Sequence, residues 1–203
     1  MKNLKLLIVA VIALMAAACS QNISIKPSIN DNVLMGITTS SHRGLNFTYS
    51  SLLPDNKIPI YRQNKSALTN NRNYTCDQSG TLQRMLNQYL SNKYHELSTD
   101  ADLKMQVTLT DFYMEHYTTS SAGIQAISIL VDDDSIVNYM VSAFVTVEVS
   151  LEQDGVKVQR SFSASADAST DYDHEVAAFS DAINQANNRI LMLLNAFLTE
   201  NDF

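Results

Sequence analysis

The histidines and serines are the side chains with the most obvious chemistry in this sequence. The four histidines show no His-x-x-x-His or other paired spacing; they are His42, His95, His116 and His174. A zinc site on a helix needs two imidazoles on one face, so this spacing predicts no metal centre. No serine lies in a Gly-x-Ser-x-Gly frame, the turn that presents the nucleophile of many hydrolases. We therefore expect no catalytic residue, and histidines that are solvated or held by one hydrogen bond.

Two groups of aspartates could hold a hard cation. Residues 132–134 are three consecutive aspartates. A calcium loop needs ligands at alternate positions and a glycine at its sharp turn, so a solvated turn is favoured over a weak, adventitious calcium contact. Asp167, Asp171 and Asp173 precede the last helical pattern, where carboxylates stabilise the positive end of a helix dipole. We expect this second group to cap the helix.

Charge and glycine distribution exclude phosphate chemistry. The five glycines lie singly and far apart, so no loop can cradle a nucleotide phosphate. The chain has 14 basic and 21 acidic residues, a formal net charge of −7, and no two basic residues are adjacent. A nucleic-acid-binding surface normally carries a basic stripe. The sequence therefore predicts no nucleic-acid partner and no cofactor.

The first 18 residues have the pattern of a secretory signal peptide. Lys2 and Lys5 precede an apolar run over residues 6–15, and three alanines at 16–18 form a small-residue cleavage site. Ten apolar residues are too few to span a bilayer, which needs about 20. We predict that residues 1–18 are removed. A plain signal peptide followed by an incidental cysteine is the alternative at this point.

Cys19 directly follows the three alanines, and this arrangement resembles the bacterial lipoprotein box. The resemblance implies that Cys19 is diacylated on sulfur, with palmitate-type chains, becomes the mature N-terminus and is then N-acylated. Three chains anchor firmly, because two already suffice for stable membrane attachment. Ser20, where an aspartate would indicate inner-membrane retention, points to the outer membrane with the body facing the periplasm. Display on the cell surface remains an alternative.

Cys76 is then the one cysteine left, so no intrachain disulfide is possible in an oxidising compartment. It lies at the end of a polar stretch, just before a helical pattern. We expect a partly buried thiol that packs like a small apolar residue. An intermolecular bridge and a nucleophile are the alternatives.

The N-terminal third of the mature chain shows short elements. Residues 19–32 combine the acylated cysteine, a tether of about four residues and a possible edge strand at Ile23 and Ile25 that breaks at Pro27. Alternation predicts a second strand over 33–39. Residues 40–76 are rich in Ser, Asn and Thr, which indicates loops with one short strand at 58–61.

The middle of the chain carries clearer periodicities. Apolar residues at spacings of three and four predict a helix over 77–96, capped by Asp77 or Ser79. Strict alternation predicts a strand that starts at Leu103 and continues to about Tyr117. Residues 119–136 fit either a strand or a short helix.

The C-terminal half contains the strongest signals. Residues 137–151 alternate as a strand, Asp154-Gly155 is a hairpin turn signal, and 156–164 return as the partner strand. Apolar residues from Val176 to Phe197, including Leu193, then predict a helix of about 25 residues. Burial against a sheet explains this helix with fewer assumptions than a coiled coil, which remains an alternative. The order of elements predicts an α+β fold: a twisted antiparallel sheet of about four to six strands with two amphipathic helices on one face, in a single domain over 33–203.

The combination is similar to the YajG family of bacterial lipoproteins. The similarity rests on Cys19, the strand 34–38 (LMGIT), the helix 82–90 (LQRMLNQYL), the strand 103–109 (LKMQVTL), the hairpin and the stretch 181–184 (DAIN). The sequence departs from the family pattern over 54–76 and 119–136. The resemblance implies a lipoprotein of the cell envelope. It transfers no active site, only the acylated Cys19.

Two functions fit this body: a non-catalytic interaction or accessory module in the envelope, and an auxiliary protein that carries a lipid or another lipophilic ligand. The first is favoured because the apolar positions are already consumed by packing two helices on one sheet, whereas a carrier needs a surplus apolar cavity. An envelope protein is the expected partner, docking near Asp154-Gly155 or on residues 54–76. Nothing in the sequence indicates an oligomer.

Overall fold

The structure is a computed structural model, and it describes residues 21–27, 41–54, 60–63, 72–118, 139–170 and 174–201. The strands are β1 (Gln21–Ile25), β2 (Ser41–Ser51), β3 (Ile60–Gln63), β4 (Arg72–Cys76), β5 (Tyr94–Leu97), β6 (Lys104–Thr118), β7 (Tyr139–Gln153) and β8 (Val156–Thr170). The helices are α1 (Gln78–Lys93) and α2 (Glu175–Glu200). The predicted strand at 33–39 and the ambiguous segment 119–136 lie outside the described residues. Residues 40–76, predicted as loops with one short strand, instead contain β2, β3 and β4, because the polar, half-buried β2 shows no clear apolar alternation. The helix predicted to reach residue 96 ends at Lys93, where β5 begins.

The larger sheet has the order β5-β2-β6-β7-β8, and β3 pairs with β6 farther along the edge that β2 occupies. Strands β6, β7 and β8 are antiparallel neighbours, whereas β2 and β3 run parallel to β6, and β5 runs parallel to β2. The α+β class is confirmed, but the sheet is mixed and not antiparallel throughout. The physical reason is that α1 follows β2 and β3 in the chain and precedes β5 and β6, and a crossover helix returns the chain parallel.

The β7–β8 hairpin forms as predicted, because Asp154 and Gly155 both adopt positive φ angles of 52° and 77°. Two such residues make the type I′ turn whose twist matches that of the flanking strands. The register then runs without interruption from Gln153↔Val156 to Tyr139↔Thr170. On β6, a register shift between Leu109 and Asp111 changes the parity of the buried side chains. Before the shift, odd-numbered residues face the core, and after it even-numbered residues such as Phe112 and Met114 do.

Both helices pack on one face of this sheet, as predicted. The buried strand side chains alternate along β6 and β7 and join those of α1 and α2 in one core; the largest are Tyr89, Phe179, Phe197, Leu45, Leu82, Met85, Leu86, Leu90, Met105 and Leu109. Helix α2 lies over β7 and β8, so burial against the sheet explains its apolar stripe. Two residues of the predicted stripe, Val176 and Leu193, are instead 37% and 39% exposed. The helix presents Leu191, Leu194 and Leu198 to the core.

Strand β1 pairs in parallel with β4 in a separate two-stranded sheet, which confirms the strand predicted at Ile23 and Ile25. Ile25 belongs to the main core, and Ser180 Oγ of α2 donates to the Lys26 carbonyl at 3.2 Å. Strand β4 leads directly into α1, where the Asp77 carboxylate accepts a hydrogen bond from the Gly80 N–H at 2.9 Å. Asp77 is thus the predicted cap of this helix.

Candidate functional site

The predicted lipidation residue, Cys19, lies outside the described residues. Strand β1 begins two positions later, at Gln21. Two extended residues reach only about 7 Å. Any group bound to Cys19 is therefore held close to the start of β1, where Gln21 pairs with Arg72 of β4.

The other cysteine, Cys76, is buried, as expected for a thiol that packs like an apolar residue. Burial, reinforced by the negative charge of Asp77, raises the pKa of the Cys76 thiol to about 12. The thiolate is the reactive form of cysteine, so this side chain is inert in the folded protein at neutral pH.

Those histidines and acids singled out by sequence patterns that the structure describes do not converge, and Asp171 and Asp173 lie outside the described residues. His42, His95 and His174 are exposed, and the aspartates at 132–134 lie outside the described residues. The expected capping group is not formed by Asp167, which lies in β8 and accepts a hydrogen bond from Ser142 Oγ at 2.6 Å. Strand β8 extends farther than its predicted end and takes Asp167 away from the helix. His174 occupies the N-cap of α2 without a side-chain capping bond.

A buried polar cluster surrounds the start of α2 instead. The Glu175 carboxylate accepts a hydrogen bond from Tyr74 OH at 2.6 Å and lies 3.5 Å from His116 Nε2. Tyr139 stacks on the His116 ring at a centroid distance of 5.0 Å, and Phe179 lies at 6.0 Å. Strands β4, β6 and β7 thus each contribute a side chain around one carboxylate of α2. A glutamate beside a histidine can exchange a proton, but here both groups are buried within the fold.

No sequence pattern identifies Glu175 as the partner of His116. A signal was present, because His116 shares the parity of Phe112 and Met114 on β6, which are buried. A histidine on the core side of a strand needs a polar partner. No spacing rule connects residue 116 with residue 175, since α2 is placed by tertiary packing.

A second polar contact joins the two helices. Gln78 Nε2 donates to Asn187 Oδ1 at 2.6 Å, and Asn187 Nδ2 donates back to Gln78 Oε1 at 3.4 Å. Both side chains are buried, so each amide satisfies the other. The pair fixes how the start of α1 meets the middle of α2.

A third polar group lies at the opposite end of α1. Lys93 is only 3% exposed, and its Nζ lies 3.5 Å from Asn195 Oδ1, which also accepts from Tyr89 OH at 2.9 Å. Burial lowers the pKa of Lys93 and raises that of Tyr89, while burial of Tyr94 raises its pKa to about 12. Desolvation of the charged form causes all three shifts.

A polar groove opens at the edge of the sheet near β5. Its volume is about 410 Å³, and its lining includes Arg43, Glu96, Asp100, Asp102 and Gln153. The Arg43 guanidinium lies 3.4 Å from Gln153 Oε1. Charged walls of this kind favour water and polar groups over an acyl chain.

Comparisons with known proteins identify no family. No family model matches the chain, and no curated protein sequence matches it. One solved structure, described as "Crystal structure of uncharacterized protein", matches with 14% identity and a TM-score of 0.46, covering 86% of this chain and 99% of that chain. The similarity to YajG-family lipoproteins stays a prediction. Neither α1 nor α2, the helices of the described residues, has the length and hydropathy of a membrane span.

Proposed function

We propose that this chain is an envelope lipoprotein, anchored through acylated Cys19 and serving as a non-catalytic interaction or accessory module. The observation that carries the proposal is the position of Cys19, after an apolar run of ten residues and three alanines. A signal peptide of this length followed by cysteine accounts for a membrane address without a spanning helix. Ser20 favours the outer membrane, with the body in the periplasm.

The short link between Cys19 and β1 supports this reading. The body would lie against the membrane surface, because only Ser20 separates the anchor from a strand that packs into the fold. A module held in this way meets partners that lie close to the same membrane.

The described site chemistry favours interaction over catalysis. Glu175 and His116 are the best-placed acid–base pair among the described residues, and both are buried beneath aromatic rings. A catalytic histidine must reach its substrate. We assign this cluster a structural role, which joins β4, β6 and β7 to the start of α2.

Carriage of a lipid, the second candidate, is less favoured. A carrier needs an apolar cavity of roughly 300 Å³ or more, whereas the groove beside β5 is lined by charged side chains. The apolar side chains of both helices pack against the sheet. The groove beside β5 is therefore not an apolar pocket of the kind that a lipid carrier needs.

Lipidation is tested by changing Cys19 to Ser. The wild-type chain should incorporate labelled palmitate and pellet with outer membranes, and the variant should do neither. Palmitate labelling of the variant would overturn the anchor. Protease treatment of intact cells then tests the topology, because a periplasmic body is protected until the outer membrane is permeabilised.

The role of the body is tested by two parallel measurements. Crosslinking in cells followed by mass spectrometry should recover a defined envelope protein. Solvent extraction of the purified chain should release no stoichiometric lipid, because the acyl groups on Cys19 are covalently bound and stay with the chain. Stoichiometric bound lipid without a protein partner would favour the carrier function and overturn the interaction module.

A further inference from the structure

We propose that two copies of this chain associate through their β8 strands, which pair antiparallel about a two-fold axis at Phe162 and join the two sheets into one. This association involves the body alone and does not depend on the proposed anchor. It begins from the position of β8, which ends the order of the larger sheet as the described residues define it. A long edge strand is a template for pairing with another strand.

The hairpin fixes which backbone groups of β8 face this edge. In a two-residue turn the flanking residues, Gln153 and Val156, form a hydrogen-bonded pair, and such pairs then alternate along the ladder. Even-numbered residues of β8 therefore direct their N–H and C=O groups to β7, and odd-numbered residues from 157 to 169 direct theirs outward. The Arg189 guanidinium donates to the carbonyl of Ser165, an odd-numbered residue, which agrees with this assignment.

Charge selects the register of the two copies. Antiparallel pairing of odd-numbered residues about Phe162 places Lys157 of each copy directly opposite Asp167 of the other. Directly opposed side chains share one face of the sheet, and opposite charges there stabilise the pair. Both side chains are exposed. The same register allows about ten backbone hydrogen bonds between the two strands, besides those to the two Ser165 carbonyls, which Arg189 of each copy already contacts.

The overlying helix has the position that this arrangement needs. Helix α2 packs on both β7 and β8. Strands lie about 4.8 Å apart, so a helix centred over β7 and β8 would lie about 10 Å from its symmetry mate, close to the usual 8–10 Å between packed helices. Met192 and Leu193 follow Arg189 by three and four positions and share its side of the helix. They are 59% and 39% exposed, and the second helix would cover them.

The association is tested with full-length copies that carry two different affinity tags and are expressed together. The wild-type copies should co-purify after detergent extraction, and sedimentation should give the mass of two chains. Lys157→Asp places like charges opposite each other twice, and self-association should weaken about tenfold. Asp167→Lys should have the same effect. When one copy carries Lys157→Asp and the other Asp167→Lys, opposite charges face each other again and co-purification should return.

A backbone test does not depend on the fold tolerating Asp167→Lys, which removes the acceptor of Ser142. The N–H of Gln159 faces the free edge, so Gln159→Pro removes no β7 hydrogen bond but blocks two contacts between copies. Gln159→Ala keeps the N–H and is the matched control. Loss of pairing in the proline variant alone, with an unchanged circular dichroism spectrum, supports the proposal. A monomeric wild-type chain, or a dimer unaffected by Lys157→Asp and Gln159→Pro, overturns it.

Discussion

The start of α2 and the end of α1 each bury an ionisable side chain, but they treat it differently. At the start of α2, the Glu175 carboxylate has Tyr74 OH at 2.6 Å and His116 Nε2 at 3.5 Å. At the end of α1, Lys93 has an amide oxygen, that of Asn195, at 3.5 Å. No carboxylate of the described residues lies within ion-pair distance of Lys93.

This difference teaches that burial of a charged residue has no fixed effect on stability. Removal of Glu175 takes the printed acceptor from the buried Tyr74 hydroxyl and the carboxylate from beside His116, which is costly. Removal of the Lys93 ammonium eliminates a desolvated charge whose partner is neutral. The negative end of the α1 dipole offsets part of that desolvation, since Lys93 lies in the last turn of the helix. A neutral substitution should therefore lower the free energy of unfolding at Glu175 and leave it unchanged or raise it at Lys93.

The largest effect is expected for Glu175→Ala, which should reduce the free energy of unfolding by about 3 kcal/mol. The cause is the loss of the carboxylate that accepts from the Tyr74 hydroxyl and lies beside the His116 ring. Urea unfolding at pH 7 measures it. Glu200→Ala is the matched control, because Glu200 pairs with Arg160 at 3.1 Å on the surface, and such pairs contribute only about 0–1 kcal/mol. Equal losses in the two variants would show that Glu175 is not a buried anchor.

The labelling rate of the Cys76 thiol reports whether the structure around the start of α2 opens locally. It lies two residues after Tyr74, and its pKa of about 12 keeps it unreactive in the closed state. In a Cys19→Ser background at pH 8, Glu175→Ala should speed labelling by a thiol reagent roughly 100-fold, which corresponds to about 3 kcal/mol. Lys93→Met should change the rate less than threefold. Comparable acceleration in both variants would contradict independent behaviour of the two ends.

The Gln78–Asn187 pair joins the start of α1 to the middle of α2. It allows the stability cost of removing one buried amide to be compared with the cost of removing both. Asn187→Leu should cost about 2 kcal/mol, because the buried Gln78 amide loses its partner. The double variant Gln78→Leu/Asn187→Leu should recover about half of that loss. Thermal unfolding of the two single variants and the double variant gives the coupling. Additive losses would mean that the amides do not depend on each other.

The smallest effect is expected for Lys93→Met, which keeps the apolar stem and should leave stability at pH 7 unchanged or raise it by up to about 1 kcal/mol. The lowered pKa of Lys93 fixes the sign of the pH dependence. The buried ammonium costs stability below the lowered pKa, and this cost disappears as pH rises toward the ordinary value near 10.4. The advantage of the variant should therefore shrink between pH 7 and 10 in urea titrations. Marked destabilisation at pH 7 would indicate that Lys93 has a favourable partner.

Local patterns predicted the elements whose signals are local. Alternation located β6 and β7, Asp154-Gly155 located the β7–β8 hairpin, and Asp77 located the start of α1. Each of these depends on residues within a few positions of one another. The parallel placement of β2 and β3 beside β6 depends on chain crossing through α1, for which periodicity provides no signal.

The buried polar contacts could be predicted only in part. The inward parity of His116 marks it as a residue that needs a partner, but Glu175 lies on a helix whose rotation on the sheet is set by packing. That rotation also explains why Leu193 is exposed while Leu191 and Leu194 are buried. An apolar stripe shows that a helix has a buried face. When the stripe is wide, it does not show which of its residues lie at the centre of that face.

The pairing of β1 with β4 has a mechanical consequence. The two strands are parallel, the proposed anchor pulls on the N-terminal end of β1, and the body holds β4 at its C-terminal end through α1. Tension between these opposite ends loads the hydrogen bonds of the pair in shear, so that they share the force and do not open one after another. The attachment between membrane and body would thus resist sustained pulling along the chain far better than peeling, although the two-stranded sheet itself is small.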